Sequence, residues 1–274
     1  MPNIDYDRYL RASRIPHIWC AGCSNGIAMK AIIRAIDKLG WHKDSLAMVS
    51  GIGCSSRLTG YMDANTLHTT HGRALTFATG IKLHRPDLNV VVVTGDGDGI
   101  AIGGNHLLHA ARRNLGLKVI LFNNYIYGMT GGQGSPTTPL GKKSTTTPMG
   151  NYEHPFDIAG VVAAAGGQFV ARTTAYNAVE MERLLTRAFE KKGFSFVEIM
   201  STCPTAYGRR NKLKTPASML QDLKDRSVPI AKAKTLTEEE LDDKIVTGIL
   251  VDRNKVEYGD LYRSFADRLK GAGA

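Results

Sequence analysis

Two apolar runs, each followed at once by a polar cluster, constrain the fold of this chain more than any other feature. Residues 90–93 are four valines that lead into a Gly-Asp-Gly-Asp-Gly cluster at residues 95–99, and the apolar residues 119–122 lead into two asparagines. Short apolar runs bounded by turn residues are consistent with buried strands. Because ligands of open α/β sheets bind outside the carboxyl ends of the strands, this pattern predicts a binding site at the ends of two parallel strands.

Asp96 and Asn124 are the side chains that we expect to share a cation at these strand ends. Carboxylate and amide oxygens, together with phosphate co-ligands, suit Mg²⁺. The alternative is a tight turn in which both side chains cap neighbouring helices. The apolar run in front of each residue favours the cation site, because it places both side chains at the same edge of a sheet.

The four cysteines, Cys20, Cys23, Cys54 and Cys203, form a second pattern. Only the first two make a Cys-x-x-Cys pair, whereas zinc sites with four cysteines usually contain two such pairs. Cys203 precedes a proline, as some cysteines of iron–sulfur ligand runs do. Thiolates select iron–sulfur clusters or zinc, so the residues leave three interpretations: a cluster, a zinc site or buried thiols without a ligand.

Taken together, these motifs resemble the β subunits of the thiamine diphosphate-dependent 2-oxoacid:ferredoxin oxidoreductases, and most closely those of the two-subunit 2-oxoglutarate type. Asn124 follows Asp96 by 28 residues, as the cofactor motif of that family requires. The resemblance spans roughly residues 15–210 and includes His-Gly-Arg-Ala at 71–74 and Tyr-Gly-Met-Thr-Gly-Gly-Gln at 127–133. It implies an α/β domain with a parallel sheet that has helices on both faces and binds thiamine diphosphate.

The resemblance also implies three cofactors and the residues that bind them. Mg²⁺ would be held by Asp96, Asn124 and the backbone carbonyl of Ile126, and one [4Fe–4S] cluster by all four cysteines. Thiamine diphosphate would contact Ile52, Gly53, Cys54, Ser55, His71, Gly72, Arg73, Ala74, Gly95, Asp96, Gly97, Asp98, Asn124, Gly128 and Met129.

Two residues are candidates for catalysis. The resemblance implies that His71 lies near the reacting carbon, although a lone histidine is more often structural. It also implies that Arg57 helps to recognise the 2-oxoacid substrate. A guanidinium suits a distal carboxylate because it can bind one through two hydrogen bonds. The alternative for Arg57 is an exposed side chain that caps the next segment.

Alternating strand and helix patterns predict a doubly covered parallel sheet with right-handed crossovers. Apolar periodicity predicts strands at residues 46–52, 89–94, 117–122, 169–171 and 194–200. It predicts helices at residues 24–39, 72–84, 101–114, 156–165 and 177–192. We expect a cofactor-binding domain at 1–203 and a C-terminal arm at 204–274 that packs on the domain or a partner. The arm shows no strand pattern and two helical stretches, at 238–247 and 258–270.

Composition and charge exclude other classes of protein. No apolar run reaches 18 residues, which argues against a membrane span, and the polar residues 1–14 do not form a signal peptide. We therefore expect a cytoplasmic protein. The net charge of +10 raises the possibility of nucleic-acid binding, but no nucleic-acid-binding motif is present. An acidic protein partner explains the charge better.

The implied reaction is the reversible, coenzyme A-dependent oxidative decarboxylation of 2-oxoglutarate to succinyl-CoA and CO₂, with reduction of an acidic ferredoxin. The chain has one α/β unit and no aminopyrimidine-binding domain. We therefore expect a separate α subunit, in an α₂β₂ assembly, without which the chain is inactive. Pyruvate or a broad range of 2-oxoacids are alternative substrates. A non-catalytic zinc-binding module with a thiamine-enzyme fold is the more distant alternative.

Overall fold

The computed structural model describes residues 4–213 and 215–272; residues 1–3, 214 and 273–274, which belong to the predicted domain and arm, lie outside the described residues. The strands are β1 (Leu46–Ser50), β2 (Asn65–His68), β3 (Asn89–Gly95), β4 (Leu117–Asn123), β5 (Ile126–Tyr127), β6 (Gln133–Gly134), β7 (Phe169–Thr174), β8 (Ser195–Met200), β9 (Ser227–Pro229) and β10 (Ile245–Asp252). The helices are α1 (Asn25–Lys38), α2 (Leu58–Tyr61), α3 (Ala74–His84), α4 (Gly104–Arg112), α5 (Ile158–Ala164), α6 (Ala178–Glu190), α7 (Pro216–Arg226), α8 (Ile230–Ala233), α9 (Glu238–Leu241) and α10 (Tyr258–Ala272).

Eight of these strands form one sheet, which confirms the predicted α/β fold. Their order is β2-β1-β3-β4-β8-β7-β10-β9, and the first six strands run parallel to one another. The four valines of β3 are completely buried, as expected for a central strand of a parallel sheet that is covered on both faces.

The two faces of the sheet carry separate apolar cores. Side chains of a strand alternate between the faces, so Val91 and Val93 pack on the side of α1 and α6. Val90 and Val92 pack on the opposite side, against α3, α4 and α5. The predicted helices of the first 203 residues therefore cover both faces, and most of their bounds agree within two residues.

The C-terminal arm contains strands that the sequence did not predict. β10 pairs antiparallel with β7 and parallel with β9, so the arm extends the sheet by two strands. The predicted helix at 238–247 is wrong beyond Leu241, because the β-branched residues Ile245, Val246 and Thr247 enter β10. The predicted helix at 258–270 is confirmed as α10. β2, a mostly polar edge strand, was also missed.

In the part of the chain that the structure describes, no helix combines the length and the apolar character needed to cross a membrane.

We expect a chain that ends at residue 203 to lose cooperative folding. It would expose the edge of β7 and remove Met219, Leu223 and Ile245 from the core. Circular dichroism during thermal unfolding is the measurement. A chain that ends at residue 259 is the matched control, because it keeps β10 and loses only the rest of α10, whose large apolar side chains are exposed. A stable 1–203 fragment would instead establish residue 203 as a domain boundary.

Candidate active site

The carboxyl ends of four adjacent strands form the floor of the site. β1, β3, β4 and β8 are neighbours in the sheet and run in the same direction. Because of this order, the segments that follow them meet at one edge: residues 51–55 after β1, Asp96 after β3, Asn124 after β4 and Cys203 after β8.

A cavity at this edge, which we call the Asp96 cavity, brings together most of the predicted cofactor-binding residues. All of them line it except Gly72, Arg73 and Ala74. Ile126, the predicted carbonyl ligand, also lines it. Sequence reasoning did not single out three further residues of the lining: Phe122, Tyr127 and Thr130.

Asp96 is a buried carboxylate that forms no ion pair with any of the described residues. Its Oδ2 accepts hydrogen bonds from the hydroxyls of Ser135, at 2.7 Å, and Thr137, at 2.9 Å. Burial raises the pKa of Asp96 to about 6 even though these hydrogen bonds oppose the shift. A buried carboxylate is costly without a compensating charge, so a bound cation would stabilise the ionised form.

Asn124 and Ile126 are held in one turn beside Asp96. The side-chain oxygen of Asn124 accepts a hydrogen bond from the backbone N–H of Ile126 at 3.3 Å. Tyr125 between them has a left-handed backbone, with φ of 65°. A carboxylate, an amide oxygen and a backbone carbonyl that line one cavity are hard donors of the kind Mg²⁺ prefers, so the residues fit that ion.

Gly97 leaves the space that the ring of Tyr127 occupies. A Cβ atom at this position would lie 2.2 Å from a ring carbon of Tyr127. The hydroxyl of Tyr127 donates to the carbonyl of Gly97 at 3.1 Å. The glycine therefore fixes Tyr127 in the wall of the Asp96 cavity, a role that the sequence did not indicate.

His71 and Asp98 form a pair in which Asp98 positions the imidazole. The Oδ1 atom of Asp98 lies 2.5 Å from Nδ1 of His71 and also accepts from the backbone N–H groups of Gly72, at 2.7 Å, and Ile52, at 3.0 Å. Its Oδ2 accepts from Thr94 at 2.6 Å. Because a carboxylate only accepts, Nδ1 of His71 carries a proton and Nε2 stays available to the cavity.

Asp98 lines the Asp96 cavity, as its predicted cofactor contact requires, and it also orients His71. Its two oxygens are occupied by four donors of the protein. The other three residues of the His-Gly-Arg-Ala motif, Gly72, Arg73 and Ala74, do not line the cavity. Arg73 donates to the backbone carbonyls of Gly72 and Ile102, and Gly72 has a φ of +70° where a Cβ would clash with Ile102.

All four cysteines line a second cavity, which we call the cysteine cavity. The backbone N–H of Thr202 donates to the Ser24 hydroxyl at 2.8 Å, and the Thr202 hydroxyl donates to the carbonyl of Gly22 at 3.2 Å. These bonds attach the Cys-x-x-Cys loop to the segment before Cys203. A Cβ at Gly22 would lie 2.1 Å from the ring of Pro216, so the arm closes this loop from outside.

The thiols have the environment of a buried metal site. Burial raises the pKa of Cys23 to about 12 and that of Cys54 to about 11, and it also raises the pKa of Cys203. Such thiols stay protonated until a metal displaces the proton. Across residues 4–213 and 215–272, no three His, Cys, Asp or Glu side chains are grouped to hold one metal ion.

Four cysteines around one cavity are the donor set of a four-iron cluster and also of a structural zinc ion. Both groups therefore fit the cysteine cavity, and metal analysis distinguishes them.

The two cavities share a wall made of Cys54, Asn124, Gly128 and Met129. Gly128 contributes no side chain to this wall. A Cβ atom at Gly128 would lie 3.4 Å from Sγ of Cys203 and 3.5 Å from Sγ of Cys54. Groups bound in the two cavities would therefore be direct neighbours.

Arg57 lines the cysteine cavity and not the Asp96 cavity. Its side chain is exposed. The structure thus brings Arg57 to the cysteines and does not bring it beside His71 in the Asp96 cavity. Trp19, which sequence reasoning missed, also lines the cysteine cavity and donates from Nε1 to the carbonyl of Cys54 at 2.7 Å.

Comparison with known proteins agrees with this geometry. Residues 51–199 match the thiamine pyrophosphate enzyme C-terminal TPP-binding domain family. The 2-oxoglutarate synthase subunit KorB of Methanocaldococcus jannaschii is 50% identical over 263 residues, which cover 96% of this chain and 97% of that protein. The chain is a β subunit of the 2-oxoacid:ferredoxin oxidoreductase family.

Other members of the family support the assignment. The KorB subunit of Archaeoglobus fulgidus is 54% identical over 221 residues, which cover 81% of this chain and 80% of that protein. A solved structure of 2-oxoglutarate:ferredoxin oxidoreductase from Magnetococcus marinus, with 2-oxoglutarate, coenzyme A and succinyl-CoA bound, superposes with a TM-score of 0.87. It is 34% identical, and the match covers 98% of this chain and 92% of that chain. The resemblance that the sequence indicated is confirmed.

We expect His71→Ala and Asp98→Asn to lower turnover by about a hundredfold, the lower range for loss of a proton-transferring group. Cofactor affinity should change far less, because the expected Mg²⁺ ligands of the diphosphate, Asp96 and Asn124, are unchanged. Turnover and the Kd of thiamine diphosphate are measured separately on the complex with the α subunit. A matching loss of cofactor affinity would instead assign His71 to cofactor binding.

Proposed function

We propose that this chain is the β subunit of a coenzyme A-dependent 2-oxoglutarate:ferredoxin oxidoreductase. The enzyme converts 2-oxoglutarate, coenzyme A and oxidised ferredoxin to succinyl-CoA, CO₂ and reduced ferredoxin, and the reaction is reversible. The observation that carries the proposal is the wall shared by the Asp96 cavity and the cysteine cavity. With this shared wall, a carbon-centred reaction in the Asp96 cavity would take place beside a one-electron acceptor in the cysteine cavity.

Three cofactors fit these cavities. Thiamine diphosphate would bind in the Asp96 cavity, with its diphosphate joined to Asp96, Asn124 and the carbonyl of Ile126 through Mg²⁺. A [4Fe–4S] cluster would occupy the cysteine cavity on Cys20, Cys23, Cys54 and Cys203. When bound, thiamine diphosphate supplies the carbanion chemistry, and the cluster accepts single electrons.

The protein contributes positioning, proton handling and shielding. His71, oriented by Asp98, presents Nε2 to the Asp96 cavity, where it can hold or accept a proton. Gly128 keeps the wall between the cavities thin because it has no side chain. Trp19 is buried and lines the cysteine cavity, where its ring adds an apolar wall.

The preference for 2-oxoglutarate is supported by the close relatives named 2-oxoglutarate synthase. Arg57, the residue expected to read the second carboxylate, lines the cysteine cavity, so we do not rest the substrate on it. A relative from Saccharolobus solfataricus, 38% identical over 245 residues, is named 2-oxoacid:ferredoxin oxidoreductase subunit beta. Pyruvate or several 2-oxoacids are therefore the second candidate.

An α subunit is the expected partner, and we propose an α₂β₂ assembly. The described residues contain one α/β unit, built on a single large sheet. Residues 135–157, which connect β6 to α5, form a long loop beside the Asp96 cavity. This loop exposes four large apolar side chains, those of Leu140, Met149, Tyr152 and Phe156. A group of exposed apolar side chains marks an interaction surface, and the α subunit would cover it.

Two further points rest on chemistry. An acidic ferredoxin complements the net charge of +10 and would be steered to this subunit. Four cysteines that serve as metal ligands and not as disulfides are typical of a reducing compartment, and the cytoplasmic location stays a prediction.

The proposed function is tested on the co-purified α and β subunits. We expect ferredoxin reduction that requires both coenzyme A and a 2-oxoacid, with 2-oxoglutarate giving at least a tenfold higher kcat/KM than pyruvate, about 1.4 kcal/mol of discrimination. The β chain without its partner should show no turnover. Equal rates with both substrates would favour the broad-specificity candidate, and turnover by the β chain alone would contradict the need for an α subunit.

We expect about four iron and four sulfide per β chain after anaerobic purification, since a cysteine-bound four-iron cluster carries that stoichiometry. Cys203→Ser should lose the cluster absorbance near 400 nm together with ferredoxin reduction. The thiamine diphosphate content should stay near that of the wild type, because the cysteine cavity is separate from the Asp96 cavity. One zinc per chain without iron would contradict the assignment.

A further inference from the structure

Asn123, the first asparagine of the pair that ends β4, lies at the centre of a buried hydrogen-bonded chain. Its Nδ2 donates to Oε1 of Glu198 at 2.8 Å. Its Oδ1 accepts from the backbone N–H of Tyr125 at 3.2 Å and shares the single proton of the Thr137 hydroxyl, which lies 2.9 Å away, with Oδ2 of Asp96. Each polar atom of this amide is therefore occupied by the protein, so Asn123 is not available as a cation ligand.

The orientation of this amide is fixed by Glu198. Glu198 is 1% exposed, and its Oε2 accepts from Nε of Arg172 at 2.7 Å. The two residues lie opposite each other on β8 and β7. A carboxylate paired with a guanidinium only accepts hydrogen bonds, so it must face the NH₂ group of Asn123. The carbonyl oxygen of Asn123 then has to face Thr137 and Tyr125.

Both parts of the predicted cation site depend on that oxygen. Thr137 also contacts Oδ2 of Asp96 at 2.9 Å, and Ser135 contacts the same oxygen at 2.7 Å. The bond to the N–H of Tyr125 shapes the turn that carries Asn124 and the carbonyl of Ile126. A rotated Asn123 amide would present NH₂ to the Tyr125 N–H, and these two donors would repel each other.

We infer that Glu198, acting through the amide of Asn123, is a positioning residue for the Mg²⁺ site that the proposed function requires. Glu198 lines neither the Asp96 cavity nor the cysteine cavity. It fixes the direction of one amide, and that amide sets both the Thr137 contact to Asp96 and the turn at Asn124. The inference rests on the proposed function and names the residues that shape its cation site.

The test uses the complex with the α subunit, stripped of cofactor, and measures the Kd of thiamine diphosphate by calorimetry at several Mg²⁺ concentrations. Glu198→Gln offers an NH₂ group or a weaker acceptor to Asn123. We expect Mg²⁺-dependent cofactor affinity to fall about 10- to 100-fold, the usual cost of losing a partner of a metal ligand. Glu182→Gln is the matched control, since it also removes a carboxylate paired with an arginine, Arg34 at 2.6 Å, but between α1 and α6. It should bind the cofactor like the wild type.

A reciprocal exchange separates positioning from general stability. In the double variant Asn123→Asp with Glu198→Gln, the new carboxylate at 123 accepts from the new amide at 198, and its other oxygen still accepts from Thr137 and Tyr125. The hydrogen bonds are restored with donor and acceptor exchanged, and the net charge is unchanged. We expect this variant to recover most of the affinity that Glu198→Gln loses. A double variant as weak as the single one would overturn the inference, as would wild-type affinity in Glu198→Gln.

If Glu198→Gln does not fold, Thr137→Val replaces it. This change removes only the hydroxyl between Asn123 and Asp96 and leaves the Arg172 pair intact. A similar loss of Mg²⁺-dependent affinity supports the inference, and unchanged affinity overturns it. A wild-type complex that binds no thiamine diphosphate in the presence of Mg²⁺ would overturn the proposed function itself, and so the two failures are distinguishable.

Discussion

The parallel order of four central strands is the constraint on which the site depends. β1, β3, β4 and β8 lie side by side and end at one edge of the sheet. The loops that follow these strands are therefore neighbours at that edge. The register is held by two apolar cores, one on each face of the sheet. A slip of one residue would turn every side chain to the opposite face. Burial of Val90 to Val93 therefore also fixes where Asp96 emerges.

Much of this could be predicted from the sequence, because it depends on local patterns. Unbroken apolar runs gave β3 and β4, and the residues directly after them, Asp96 and Asn124, line one cavity as expected. The four cysteines also meet in one cavity. For Asp96, Asn124, Cys54 and Cys203, the strand before the residue determines where it lies. The parallel order of the strands then brings these residues to the same edge of the sheet.

The features that could not be predicted depend on contacts between distant segments. Ser135 and Thr137 reach Asp96 from a loop 39 and 41 residues away, and nothing in the loop sequence marks them. Asp98 has the same chemistry as Asp96 two residues earlier, yet the wide helical turn at Gly97–Ile102 directs it to His71. β10 was missed because the acidic helical pattern before it masked a β-branched run. Local sequence does not show which of these two carboxylates is held by Ser135 and Thr137 and which one pairs with His71.

The Cys-x-x-Cys loop at residues 20–23 is fixed only by parts of the chain that come much later. Thr202 binds Ser24 and Gly22 across sequence separations of 178 and 180 residues, and Pro216 closes against the same glycine. During synthesis the N-terminal segments leave the ribosome first, so this loop has no defined shape until the final quarter of the chain has emerged. Iron and sulfide would then meet all four thiols only on the completed subunit. In the proposed enzyme, a chain that stops before Pro216 would therefore lack a closed site for the cluster.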